Sequence, residues 1–95
     1  MPNLSAITKS TYRRVNSLAS AYVLINCDLG AEEKVISELK TIHKIKEMQG
    51  VFGAYDIIAK VEAPSGDMIK DVTAKIRRID RIRSTLTLMG IEGQE

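Results

Sequence analysis

The apolar residues of this chain switch repeatedly between two spacings, and the order of the switches leaves few folds open. A period of two marks a half-buried strand, and a period near 3.6 marks an amphipathic helix. Residues 21–27, AYVLINC, form a short run of β-branched and aromatic residues that reads as a buried strand. Asp28 and Gly30 break it. Residues 31–42 then place Val35, Ile36, Leu39 and Ile42 on one helical face, with Glu32 and Glu33 in the first turn, where negative charge suits the helix dipole. Residues 44–51 alternate, Ile45, Glu47 and Gln49 against Lys46, Met48 and Gly50, and residues 55–63, YDIIAKVEA, read as a second strand of a hairpin turned at Gly53. After Pro64, Ser65 is placed to cap a helix bearing Met68, Ile69, Val72, Ile76 and Ile79. Residues 82–91 alternate again.

Strand, helix, strand, strand, helix, strand is the order of a split βαβ, or ferredoxin-like, α+β fold. It predicts a four-stranded antiparallel sheet with both helices on one face. The other face is left open, displaying Val23, Ile25, Thr85, Thr87 and Met89 or their opposites on the same strands. A largely apolar open face is a contact surface, and sheet-on-sheet dimerisation is the simplest way to cover it.

With 95 residues there is chain for one small domain, whose stability margin is thin enough that self-association would help. The net charge of +2 is uneven: residues 1–20 carry Lys9, Arg13 and Arg14 and no acid, whereas residues 21–95 sum to −1. The first twenty residues read as an arm, flexible or forming a short added element, and residues 93–95 as a polar end. A nearly neutral body lacks the basic balance of a dedicated nucleic-acid binder. Cys27 is the single cysteine, which excludes an internal disulfide and a multi-cysteine zinc site. No apolar run approaches the roughly 20 residues that span a bilayer, and the N-terminus lacks a signal-peptide block, so a cytoplasmic location is expected.

The fold hosts many activities, so the side chains have to discriminate among them. Metal carriage needs clustered thiolates, and the first loop, NCDLGAEE, offers one. RNA recognition needs aromatic rings in mid-strand, but Tyr22 and Tyr55 lie near strand ends. An acylphosphatase-like site needs an arginine in that first loop, which has none. His43, the one histidine, sits in the connection TIHKIK with nothing in sequence to orient it as a base. The basic residues from Lys70 to Arg83 are interleaved with Asp67, Asp71 and Asp80 and read as a solvated face. No catalytic residue, metal site or cofactor is expected, and the chain does not read as an enzyme.

The stretch VFGAYDIIAKVEA (51–63) is similar to the glycine–X–tyrosine–aspartate hairpin of the Lrp/AsnC transcriptional regulators, and DVTAKIRRID and RSTLTLM resemble that family's ending. From Ala21 to Glu92 the chain resembles the family's effector-binding and oligomerisation (RAM) domain. It departs from the pattern at IHKIK, where the family usually has a glycine-containing turn. Family members carry a helix-turn-helix domain of roughly 50 or more residues ahead of this domain. Only twenty residues precede Ala21, so the resemblance is to the stand-alone form, and neither direct DNA binding nor a membrane partner is expected.

The resemblance implies dimers paired through their sheets, higher oligomers such as octamers or decamers, and an effector, commonly a free amino acid, bound between subunits. Carried over by position, the ligand-binding residues are Gly53, Ala54, Tyr55 and Asp56 of the loop and Thr85 and Thr87 of the last strand. Their chemistry fits a zwitterion: Asp56 can accept from an ammonium group, and threonine hydroxyls and backbone amides at Gly53 can donate to a carboxylate. The function so implied is amino-acid or small-metabolite sensing of the transcription-regulator type. The alternative is a ligand-free interaction module forming homo-oligomers or mixed assemblies with full-length Lrp/AsnC regulators.

Overall fold

The computed structural model describes residues 18–90, and the larger part of the N-terminal arm lies outside them. The elements are β1 (Ala19–Cys27), α1 (Glu32–Leu39), β2 (Ile45–Gly50), β3 (Ile57–Ala63), α2 (Gly66–Arg77) and β4 (Ile82–Met89). The sheet order is β2-β3-β1-β4, with every pairing antiparallel. This is the ferredoxin-like arrangement, with β1 and β3 at the centre. Ala19 and Ser20, read as the end of the arm, belong to β1 and pair with Ala63 and Glu62.

Strand alternation decides what each face holds. Ala21, Val23, Ile25 and Cys27 of β1 and Ile57, Ala59, Val61 and Ala63 of β3 are buried against the helices. Val35 and Leu39 of α1 and Ile69, Val72 and Ile76 of α2 close the same core. The open face therefore carries the opposites of Val23 and Ile25. Tyr22 and Leu24 are flanked in register by Leu88 and Leu86 on one side and Lys60 and Ile58 on the other. Thr85 and Thr87, which pair with Ile25 and Val23, are on the helix-facing side.

Two elements differ from their sequence patterns. In β2, Ile45 and Met48 both pack toward the core, because one extra residue is inserted between Ile45 and Glu47 opposite the step from Val61 to Lys60. The first helix stops at Leu39 rather than Ile42. Its last carbonyls are taken by a tightened turn, in which Thr41 donates to the Glu38 carbonyl from both its N–H (3.1 Å) and its hydroxyl (2.7 Å).

The expected cap is present: the Ser65 hydroxyl accepts from the Met68 N–H at 3.3 Å, and Asp67 and Arg77 lie at the poles of α2 that suit their charges. Ser65→Ala should lower the unfolding free energy by about 1 kcal/mol. Urea denaturation would show this as an earlier midpoint at unchanged slope.

Candidate functional site

The β2–β3 loop is held at both ends. The Val51 N–H donates to the Asp56 carbonyl at 2.9 Å, closing the loop on itself. The Asp56 N–H donates to the Ile25 carbonyl at 2.9 Å, and Asp56 Oδ2 accepts from the Cys27 N–H at 3.0 Å. Asp56 thus clamps the loop to the end of β1, just past the last register pair Ile25–Ile57. Gly53 has φ of 123°, with open space where a Cβ would lie, so backbone conformation rather than crowding requires glycine there. Tyr55 is half-buried, Ala54 is exposed, and Phe52 projects fully into solvent.

Thr85 and Thr87 face the flank of α2. Arg77 Nε donates to Thr85 Oγ1 at 3.4 Å, while Thr87 Oγ1 is buried and makes no hydrogen bond among the described residues. β1 runs between the loop and β4, so one chain does not gather the six residues into a single pocket. Clefts of about 420 and 400 Å³ lie elsewhere, against α2 and the α1–β2 connection; His43 lines the first beside Lys44 and Asp71. A third, of about 210 Å³, lies on the open face between Tyr22, Gln49, Ile58 and Lys60. Among the described residues no group of three histidine, cysteine or acidic side chains is arranged to hold a metal, and no helix is long and apolar enough to cross a membrane.

Sequence reasoning did not anticipate the link from Asp56 to Cys27. Burial, and then the charges of Asp56, Glu32 and Asp28, push the Cys27 thiol above its ordinary value. The unfolded chain releases this proton at lower pH than the folded chain. The contribution of Cys27 to stability is therefore complete below the ordinary thiol value and is lost as pH rises through the folded one. Stability measured in urea from neutral to alkaline pH should fall less steeply for Cys27→Ala than for the parent.

The fold, its glycine-turned loop and the threonines of β4 are the features on which the comparisons bear. The family model for the Lrp/AsnC ligand binding domain matches residues 20–92, and the chain belongs to that family. The hypothetical protein PHS023 of Pyrococcus horikoshii has 32% sequence identity and a TM-score of 0.70, over 80% of this chain and 93% of that one. A homocitrate synthase of Saccharolobus islandicus is 32% identical over 68 residues, which are 70% of this chain and 15% of the enzyme. An HTH-type transcriptional regulator of Pyrococcus furiosus is 29% identical over 85 residues, which are 85% of this chain and 57% of the regulator. The match thus spans less than two thirds of either curated relative.

Proposed function

We propose that this domain senses a free amino acid or similar small metabolite, bound between subunits, and couples its binding to assembly. The observation that carries the reading is the split of the site. Asp56 sits on one side of β1, with Oδ2 committed to the Cys27 N–H and a second carboxylate oxygen available to an ammonium group. Thr85 and Thr87 lie on the other side, the latter with an unused hydroxyl. A second copy has to supply the missing wall. The domain acts in the cytoplasm as a binding module, not as a catalyst.

A thermal-shift screen against the twenty amino acids tests this. Ligand at 100 times its dissociation constant adds about 2.7 kcal/mol, a shift of many degrees for a domain of this size. Asp56→Asn keeps an acceptor for Cys27 but loses the charge, and should abolish the shift without unfolding the protein. The second reading, a ligand-free interaction module joining copies of itself or full-length regulators, rests on the open face alone. A flat panel with an intact oligomer would favour it. A monomer at micromolar concentration in light scattering would count against both.

A further inference from the structure

The clefts of about 420 and 400 Å³ share Thr41, Ile42 and Lys75, so they are two halves of one groove across the helix layer. No residue of the Asp56 loop or of β4 lines either half. One wall of the larger half is the connection from Thr41 to Lys44, where the chain departs from the glycine-containing turn of its family. That wall is fixed in place. The Ile45 N–H donates to the Ile42 carbonyl at 3.1 Å, and the Glu62 N–H to the Lys44 carbonyl at 3.0 Å. The Lys46 ammonium donates to the His43 carbonyl at 3.3 Å. A preformed cleft of about 300–1,000 Å³ is the usual size for holding a small molecule.

The opposite wall is α2, whose Met68, Asp71, Val72 and Lys75 stand at i, i+3, i+4 and i+7 and so share one stripe. Val72 is buried and Ile42 half-buried, which gives the cleft an apolar floor. The charges around it are unequal: Lys44 and Lys75 against one acid, Asp71. The described residues form three ion pairs, and none of them involves Lys44, Asp71 or Lys75. Lys44 is half-buried, and a partly desolvated ammonium with no carboxylate beside it is an unmet charge. His43 adds a ring N–H, a donor in either protonation state.

We infer that this cleft binds a phosphate monoester with a small apolar body. Two ammonium groups match a doubly charged head, which each meets as a point charge. The organic part lies on Ile42, Val72 and Met68. Asp71 opposes the head and holds the affinity down. The site needs neither Asp56 nor a second copy, so it stands apart from the effector site proposed above.

Calorimetric titration of the purified chain with phenyl phosphate tests it. One molecule per protomer should bind with a dissociation constant of ~1 mM or tighter. Inorganic phosphate, which has the head without the body, should bind at least ~10 times more weakly, and benzyl alcohol should give no saturable heat. Lys44→Gln and Lys75→Gln should each weaken phenyl phosphate at least ~10-fold, whereas Asp71→Asn should tighten it by ~3-fold or more. Asp56→Asn should leave it unchanged, which keeps this result separate from the amino-acid screen. Circular dichroism checks that each variant is folded. No saturable binding up to ~10 mM would overturn the inference. So would affinity indifferent to Lys44 and Lys75, equal affinity for inorganic phosphate, or weaker binding after Asp71→Asn.

Discussion

Ile25→Ala should destabilise the domain by about 2–5 kcal/mol, the usual cost of emptying a fully buried aliphatic site. Ile25 has no exposed surface, lies in the central strand, and is flanked in register by Ile57 and Thr85. Helices close over it, so collapse around the cavity is resisted from every side. The total stability expected for 95 residues is only about 5–14 kcal/mol. The variant should therefore unfold at much lower urea, with a measurable unfolded fraction at 37 °C. A loss below about 1 kcal/mol would mean that the core is not organised around this strand.

One residue earlier the outcome should be opposite in kind. Leu24 points to the open face between Ile58 and Leu86, and Leu24→Asp should leave the monomer folded while weakening the sheet-face association proposed above at least ~100-fold. The cause is an unpaired carboxylate forced into an apolar contact, which costs several kcal/mol when buried. Light scattering and circular dichroism read the two quantities separately. An oligomer that persists would place the assembly elsewhere, and a chain that unfolds would show that Leu24 belongs to the core.

That contrast also marks how far the residues alone could be read. Period-two alternation told that Leu24 and Ile25 part company, but not which goes inward, because both faces of β1 are aliphatic. The burial of Val23 and Ile25 follows from where the helices dock, which no local pattern states. Ser65 was legible because capping is local, whereas the extra residue in β2 was not, since its register depends on β3, some fifteen residues away. Gly53 announced its turn, and Asp56 stood out beside it. The bond from Asp56 to the Cys27 amide joins residues 29 apart in sequence and could come only from the sheet order. The separation of the loop from Thr85 and Thr87 by β1 was hidden for the same reason.

The close of the sheet at Ser20 and Gly90 has a consequence for how such a domain is deployed. Gly90 packs so tightly on Ser20 that an added Cβ would come within 2.7 Å of the serine hydroxyl, and the two backbones are bonded there. Entry and exit of the domain thus lie side by side at one corner, away from the Asp56 loop at the opposite end of β1. A polypeptide with this geometry behaves as a cassette: it can be spliced onto either terminus of another protein, or into a surface loop, without threading a strand past its neighbour.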